Sequence, residues 1–540
     1  MCRSAILKEC AKPLVHIRQQ LNSGRFGLVI GSGISKPFLL PNWAELIENI
    51  SKNPEINGED ILNYKKNESP QASVTQMLYE HFKAKEKEKE GDSINSKEFE
   101  KLIYHRWKDI IHQELWKNFK PEYLKKGVHP YLDAYIDIIK RSSLTINYNF
   151  DNTLQLIISD RRSDDEKRIG IKGYETVWDA RLQFQSNNGV IYHPNGFLPK
   201  ELIDGPSETI VFSEDSFADQ LIATMSGHYS TLLHHLSKNT CLFLGLSLED
   251  STLKHLLRQN SQISPGHFHY YIAYTKDSES ISDEQKRAII ESNFELYNLI
   301  TLFFNDKEIK EFGELLQMGD SDFEEEAILN KIDTKYIYYI TGPVGSGKTT
   351  TLSYFRNMST FSEWPDPKHP LLAVPEHNLL PEETKFIDKW IGSQFYKKNK
   401  NIRNSRYGFN VIDRTPLDPF TFKDESEWGE KAEDLNNQIT RGASQFRIEK
   451  GCIILLHGDN EVIARRVRMR QKTEDQYTST DIEKMYKKFI KIFDSLEHLK
   501  IIDTSDLSVF EVVRRVARII HLEKYYADDL HSVIDKYLKC

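Results

Sequence analysis

The stretch that most constrains the fold is YIYYITGPVGSGKTTTL, residues 336–352. It consists of an apolar run, a glycine-rich turn and the start of a helical pattern. Residues 342–349 match G-x-x-x-x-G-K-[ST] at every fixed position. In this motif glycines let backbone N–H groups surround a phosphate, the lysine reaches the β- and γ-phosphates, and the hydroxyl binds Mg²⁺. Thr349 is therefore the predicted magnesium ligand. The predicted phosphate-binding residues are Gly342, Gly345, Ser346, Gly347, Lys348, Thr349 and Thr350.

More than half of the chain precedes this stretch, and 540 residues predict about two to four domains. The contents of 39% hydrophobic and 28% charged residues are typical of a soluble globular protein, and a net charge of −8 provides no overall attraction to nucleic acid or anionic membrane. None of the five cysteines has C-x-x-C spacing, so we expect no zinc site or disulfide framework. With no signal peptide or membrane-length apolar run, we expect a cytoplasmic protein without membrane or direct nucleic-acid partners.

Apolar runs upstream of residue 275 predict the strands of one sheet. The first, Phe26–Ile30, leads into Gly31-Ser32-Gly33, where glycines permit close approach to a pyrophosphate, although tight structural turns share this pattern. Helical patterns separate the strands, which predicts a Rossmann-type α/β domain with a parallel sheet and a helical insertion over about residues 45–140. Ligands of such sheets bind beyond the carboxyl ends of the strands. The other predicted strands lie within residues 143–151, 190–193, 240–247 and 269–274.

Six short motifs follow one another in the order typical of the sirtuin-like family: G-S-G-I-S (31–35), L-P-N-W (40–43), N-F-D (149–151), Y-H-P-N-G-F-L-P (192–199), F-S-E-D (212–215) and F-L-G-L-S-L-E-D (243–250). The chain resembles the bacterial NAD-consuming branch of that family. The resemblance implies a site that binds NAD and cleaves its nicotinamide–ribose bond. It implies that the glycine loop holds the diphosphate and that Asn149 and Asp151 line the nicotinamide and ribose pocket. The implied NAD-binding residues are Gly31, Ser32, Gly33, Ser35, Gly245 and Ser247.

Two features depart from the family pattern. The family carries a His as general base directly before a glycine, whereas Asn195 stands before Gly196 here, and Asn takes no proton near neutral pH. Asn195 is either natural or an inactivating replacement. His193 shares a strand face with Asn195 and is either a substitute base or a structural histidine. The four-cysteine zinc module of protein-deacylating members is missing, which favours NAD hydrolysis over deacylation.

The downstream part resembles P-loop nucleoside and nucleotide kinases, most nearly the deoxynucleoside kinase branch, over about residues 335–525. Predicted strands lie within residues 371–376, 411–418, 451–458 and 500–504. The resemblance implies ATP or another nucleoside triphosphate as ligand, Glu376 as a base near the acceptor hydroxyl, and Asp413 and Arg414 at the acceptor sugar or phosphate. Arg466 and Arg470 belong to a cluster that is either a set of lid arginines or an exposed basic helix.

These patterns predict a sirtuin-like domain over residues 1–305, an acidic junction over 306–334, a kinase-like domain over 335–525 and a helical tail over 526–540. Three hypotheses follow. The chain is an NAD-hydrolysing effector gated by nucleotide binding, as in bacterial antiphage defence. Alternatively, it is an active kinase with a sirtuin-like pseudoenzyme domain. As a third alternative, it is a non-catalytic assembly module that responds to nucleotides. All three make small nucleotides its partners, and we expect a homo-oligomer.

Overall fold

The structure is a computed structural model that describes residues 3–539 apart from 66–69, 91–95, 170–172, 179–188, 228, 249, 277–280, 375–378, 406, 442–445 and 470–476. The chain divides into two compact units. The N-terminal unit comprises Met1–Ile6, Gln20–Ile263 and Phe268–Phe323, and the C-terminal unit comprises Leu7–Gln19, Ser264–His267 and Glu324–Cys540. Among the described residues, no helix is long and apolar enough to cross a membrane.

The N-terminal unit is built on a parallel sheet of seven strands. The strands are β1 Phe26–Ile30, β2 Leu144–Asn147, β3 Glu175–Val177, β4 Val190–Tyr192, β5 Thr240–Leu244, β6 His269–Tyr274 and β7 Leu299–Phe304. The described helices up to residue 330, of which α1, α2 and α15 include residues of both units, are α1 Arg3–Glu9, α2 Ala11–Asn22, α3 Trp43–Lys52, α4 Glu59–Lys65, α5 Gln71–Glu90, α6 Ser96–Trp116, α7 Ile136–Arg141, α8 Thr153–Asp160, α9 Asp164–Arg168, α10 Glu214–Met225, α11 Ser230–Lys238, α12 Ser251–Ile263, α13 Asp283–Tyr297, α14 Asp306–Gln317 and α15 Asp320–Asn330.

The strand order β3-β4-β2-β1-β5-β6-β7 determines where a ligand can bind. The chain extends the sheet in one direction from β1 through β2, and in the other direction from β1 through β5. A crevice forms where the direction reverses, outside the carboxyl ends of β1 and β5. Gly31 follows β1 and Gly245 follows β5, so two glycine-containing loops meet at this point. The predicted α/β class with a parallel sheet is confirmed.

The C-terminal unit contains a second parallel sheet, with strand order β12-β11-β8-β10-β9. Its strands are β8 Lys335–Thr341, β9 Ser359–Phe361, β10 Gly408–Asp413, β11 Cys452–His457 and β12 Lys500–Asp503. Its helices are α16 Lys348–Leu352, α17 Pro381–Asn404, α18 Trp428–Thr440, α19 Asn460–Met469, α20 Ser479–Phe493, α21 Val509–His521 and α22 His531–Leu538. The first strand, β8, is central and leads directly into the glycine-rich turn.

One strand prediction in this unit was wrong. Residues Pro370–Ala373 form a 3-10 turn, and the strand beside β10 is β9. Pro370 has no backbone N–H for a strand ladder, and His369 Nδ1 accepts a hydrogen bond from the Leu371 N–H at 3.3 Å. These two local features favour a turn over an extended run of the same apolar residues.

The segment Leu7–Gln19 belongs to the C-terminal unit although the chain continues from it into β1 of the N-terminal unit. The Gln19 amide pairs with both backbone groups of Phe409, accepting from its N–H at 3.0 Å and donating to its carbonyl at 3.3 Å. His16 Nε2 donates to the Asn357 carbonyl at 2.7 Å. Helix α2 thus contains residues of both units, up to Gln19 from the C-terminal unit and from Gln20 onward from the N-terminal unit.

Candidate nucleotide sites

The glycine loop after β1 is packed directly against the loop after β5. The Gly33 N–H donates to the Gly245 carbonyl at 2.9 Å, and the Gly31 N–H donates to the Leu244 carbonyl at 3.1 Å. A Cβ atom on Gly31 would lie 2.6 Å from the Gly245 carbonyl oxygen, and one on Gly33 would lie 2.9 Å from the Gly245 Cα. The glycines are required because two backbone segments meet here, and the meeting point is the expected ligand crevice.

A cleft of about 950 Å³ extends from this meeting point. It includes Ser32, Gly33, Gly245 and Ser247, which were predicted from the sequence, together with lysines that were not, among them Lys36 and Lys254. Lysine ammonium groups bind phosphate as point charges, so both lysines suit a diphosphate. Lys36 follows directly after the G-S-G-I-S motif, and this position could have predicted it from the sequence. The cleft is large enough for a dinucleotide.

The side chains of the N-F-D motif are connected to the glycine loop by hydrogen bonds, some of them through Ser35. The Asn149 side-chain amide donates to the Gly31 carbonyl and to Ser35 Oγ, both at 3.0 Å. Ser35 Oγ in turn donates to Asp151 Oδ2 at 2.8 Å. Burial raises the pKa of Asp151, and hydrogen bonds from Thr153 and Ser35 oppose that shift. The structure brings these predicted residues into one network, in which buried Asp151 positions Ser35 and Asn149.

His193 is fully buried and both of its ring nitrogens are engaged. Nδ1 lies 2.7 Å from the Asn149 carbonyl oxygen, and Nε2 lies 2.8 Å from the Gln155 side-chain nitrogen. A carbonyl only accepts, so the ring proton is on Nδ1 and Nε2 accepts from Gln155. Burial lowers the pKa of His193 to about 4. This geometry makes His193 a neutral positioning residue for the Asn149 backbone.

Asn195 lies in a second buried network, between the end of β4 and the start of α12. Its Oδ1 accepts from Gln220 Nε2 at 3.1 Å, and Gln220 Oε1 accepts from Thr252 Oγ1 at 2.9 Å. Its Nδ2 makes no well-formed hydrogen bond. The Asn195 amide is still close enough to Asp250 to favour the charged form of that carboxylate. Burial nevertheless raises the pKa of Asp250. Asp250 is the carboxylate beside this network, and its motif alone predicted no role for it.

The glycine-rich turn after β8 has the backbone conformation that the motif requires. Gly342, Gly345 and Gly347 have φ angles of 140°, 86° and 95°, which side chains with a Cβ rarely adopt. Lys348 Nζ donates to the carbonyls of Gly342 and Pro343, both at 2.8 Å. Burial lowers the pKa of Lys348 to about 7, and Arg414 contributes to the shift. The lysine is thus held inside the turn that would surround a phosphate.

Thr349 and Asp413 fit a magnesium site. Thr349 Oγ1 donates to Asp413 Oδ2 at 2.6 Å, while the buried Asp413 Oδ1 has no hydrogen-bond partner. A buried carboxylate oxygen without a donor is suited to a cation, and Mg²⁺ prefers such oxygen ligands. The buried Lys398 Nζ donates to the Asp413 carbonyl at 2.8 Å. Lys398 lies on α17 far from any motif, so no signal in the sequence predicted it.

Arg414 projects beside a cavity of about 460 Å³. Its guanidinium pairs with Glu363 at 2.7 Å and with Asp418 at 3.5 Å, and its backbone has a φ of 67°, which is unusual for a residue with a side chain. Trp364 and Phe395 contribute aromatic surface to the lining, which also contains the charged residues Lys368, Asp388, Lys423 and Lys431. This combination of charged and planar groups suits a nucleoside or its phosphate.

Of the remaining predicted residues that the structure describes, Arg466 does not line this cavity. Arg466 donates to Thr504 Oγ1 at 3.2 Å and to the Thr504 carbonyl at 3.0 Å, next to the end of β12. Glu376 and Arg470 lie outside the described residues. Among the described residues, no group of three or more His, Cys, Asp or Glu side chains is arranged to hold a metal ion.

Comparison with known proteins supports the sirtuin-like part of the chain. Residues 143–300 match the family model of the SIR2-like domain, which associates the N-terminal unit with NAD-related chemistry. A search of curated proteins finds no match. Among solved structures, thymidylate kinase from Candida albicans is similar over 36% of this chain and 98% of that chain, at 17% identity and a TM-score of 0.27.

Proposed function

We propose that the N-terminal unit hydrolyses NAD at its nicotinamide–ribose bond and that nucleotide binding in the C-terminal unit controls this activity. The observation that carries the proposal is the network of Asn149, Ser35 and Asp151 at the glycine loop. It lies at the reversal point of the sheet, and Asn149 and Asp151 fall within the stretch that matches the SIR2-like domain.

The two glycine loops and Lys36 would hold the diphosphate of NAD. Breaking the C1′–N bond sends its electron pair to nicotinamide and leaves positive charge on the ribose, which water then attacks. Neither the Asn195 amide nor the doubly engaged His193 is suited to take the proton of that water. Asp250 fits this role, because a carboxylate can take a proton and burial raises the pKa of this one.

In the C-terminal unit, Lys348, Thr349 and Asp413 would hold a nucleoside triphosphate and its Mg²⁺. Lys348 Nζ is engaged by two carbonyls of the turn, so binding would exchange those contacts for phosphate oxygens. The nucleotide would therefore bind one arrangement of the turn more tightly than the other. A ligand can control a protein only through such a difference in affinity. The activating nucleotide acts as an effector in this proposal.

The test is nicotinamide release from NAD by the full chain, with and without deoxynucleotides or ATP and Mg²⁺. Asp250→Asn is expected to lower the rate by about a hundredfold or more, as loss of a general base does. Asp219→Asn, which makes the same change on an exposed side chain of α10, is the matched control and should leave the rate unchanged. Equal rates for the two variants would remove Asp250 from the mechanism.

An active kinase with an NAD-binding pseudoenzyme unit is the second candidate. The engaged His193 and the amide at position 195 favour it, as does Arg414, which lines a cavity suited to a nucleoside. Phosphate transfer from ATP to a nucleoside or its monophosphate, lost in Lys348→Ala, would support this candidate. A change of oligomeric state on nucleotide addition without turnover would support the assembly module instead.

We also propose a role in antiphage defence, which the resemblance of the motifs to NAD-consuming bacterial sirtuin-like proteins suggests. Expression in a bacterial host should lower phage plating and cellular NAD on infection. The Asp250→Asn variant should restore both, whereas Asp219→Asn should not.

A further inference from the structure

The cleft at the glycine loops is lined in part by two segments that lie far apart in the sequence. One lies within residues 32–37, directly after β1, and the other is the pair Pro130 and Tyr131. His129 precedes this pair and is not among the residues that line the cleft. Its side chain is 5% exposed, so its hydrogen bonds lie within the protein.

Both ring nitrogens of His129 are hydrogen-bonded to backbone groups. Nε2 lies 2.9 Å from the Ile34 carbonyl oxygen, across 95 positions of sequence. Nδ1 accepts from the Tyr131 N–H at 3.2 Å and from the Leu132 N–H at 2.9 Å. A carbonyl only accepts and a backbone N–H only donates, so the ring proton is on Nε2. Burial lowers the pKa of His129 to about 4, which keeps Nδ1 an acceptor near neutral pH.

The ring of His129 also packs against aromatic side chains of both segments. Its centroid lies 5.1 Å from that of Phe38 and 4.6 Å from that of Tyr131, whose plane is turned by 85°. Phe38 is fully buried and ends a 3-10 turn that follows the turn Ser32–Ile34. These contacts fix the orientation of the ring, and with it the direction of the Nε2–H bond to Ile34.

The turn that His129 contacts is the one that would hold the diphosphate. Ile34 is the last residue of this turn, is 1% exposed, and donates its own N–H to the Gly31 carbonyl at 3.1 Å. A buried carbonyl that loses its donor costs free energy, so the turn would shift toward another partner. Such a shift would displace Ser32 and Gly33, and the ligand would then have to restore their positions on binding.

We propose that His129 is a positioning residue for NAD binding, which holds the diphosphate-binding turn through Ile34 and the second segment of the cleft through Tyr131. This role rests on the proposed binding of NAD in this cleft. The diphosphate takes no part in breaking the nicotinamide–ribose bond, so its contacts are the same before and during the reaction. Loss of the positioning should therefore raise KM for NAD and leave kcat unchanged.

The experiment is calorimetric titration of the full chain with ADP-ribose, which carries the same diphosphate and no nicotinamide. Its binding can be measured whether or not the chain hydrolyses NAD. His129→Asn retains an acceptor for the two N–H groups but is too short to donate to Ile34. His129→Gln retains the donor at the position of Nε2 and loses that acceptor. We expect His129→Asn to weaken ADP-ribose about tenfold and His129→Gln to weaken it by less than about threefold.

The two variants separate positioning from a general loss of stability, because both remove the buried ring and only His129→Asn removes the contact with the turn. The control is His112→Asn, which removes a ring N–H donated to the Pro199 carbonyl at 2.9 Å, with neither residue in the cleft lining. It should bind ADP-ribose as the wild type does.

Binding that depends on His129 in this way without nicotinamide release would support the positioning role and reject the proposed hydrolysis. Equal affinities of His129→Asn and wild type, or equal losses in the two His129 variants, would overturn the positioning role. Absence of ADP-ribose binding by the wild-type chain in the millimolar range would overturn it as well.

Discussion

The Gly31→Ala substitution tests whether the glycine loop is held by backbone packing. The added Cβ would lie 2.5 Å from Leu246 Cδ2 and 2.6 Å from the Gly245 carbonyl oxygen. The leucine can rotate away, but the carbonyl belongs to a loop that already accepts the Gly33 N–H at 2.9 Å. The φ angle of Gly31 is −129°, so alanine brings no backbone strain and the whole effect is steric.

Overpacking of this kind costs about 1–3 kcal/mol. For a unit of this size, that corresponds to a fall in melting temperature of roughly 2–10 °C. The displaced loop should also lose NAD affinity, because both glycine loops line the cleft.

The assay is thermal unfolding with and without NAD, with the transitions of the two units followed separately. The control is Gly429→Ala in α18, where the nearest atom would be the Tyr537 carbonyl oxygen at 3.7 Å. Alanine inside a helix should stabilise by about 0.5–1 kcal/mol. A Gly31→Ala protein as stable as wild type, with the same NAD-induced shift, would refute the packing argument.

Three further predictions use the C-terminal unit and the buried histidines. Lys348→Met should abolish binding of a fluorescent nucleoside triphosphate while the melting temperature changes by only a few degrees; retained binding would contradict the role assigned to Lys348. Gln19→Ala should lower the free energy of unfolding by about 1–2 kcal/mol, since both backbone groups of Phe409 lose a partner, and urea denaturation measures it. Burial lowers the pKa values of His16, His129 and His193 to about 4, so the unfolded chain binds more protons between about pH 6.5 and 4. Stability should therefore be complete above pH 6.5 and fall on acidification, by about 2 kcal/mol per histidine at pH 5, and stability that rises over this window would contradict the argument.

The parts that could be predicted from the sequence are those where the chemistry depends on adjacent residues. The glycines that must adopt positive φ angles lie close together within residues 342–349, and the structure has those angles at Gly342, Gly345 and Gly347. The alternation of strands and helices likewise predicts the parallel sheet of the N-terminal unit, because short apolar runs separated by helices have few other arrangements.

Long-range pairing could not be predicted in the same way. Lys398 contacts Asp413 through a helix fifteen residues upstream, and Gln19 contacts Phe409 across 390 positions of sequence. The engagement of both His193 nitrogens depends on Gln155, which lies on a separate helix and belongs to no motif. A single sequence shows which residues are chemically capable of a role. Whether their donors and acceptors already have partners depends on the tertiary structure.

Nicotinamide release from NAD tests the central claim most directly. The full chain, with Asn195 as it stands, should release nicotinamide in the presence of a nucleoside triphosphate and Mg²⁺, and Asp250→Asn should remove that activity. An Asn195→His variant should be measured beside it, because it introduces the His that the sirtuin-like family carries before the glycine. If neither the chain nor this variant releases nicotinamide with any nucleotide tested, the proposed NAD hydrolysis is wrong.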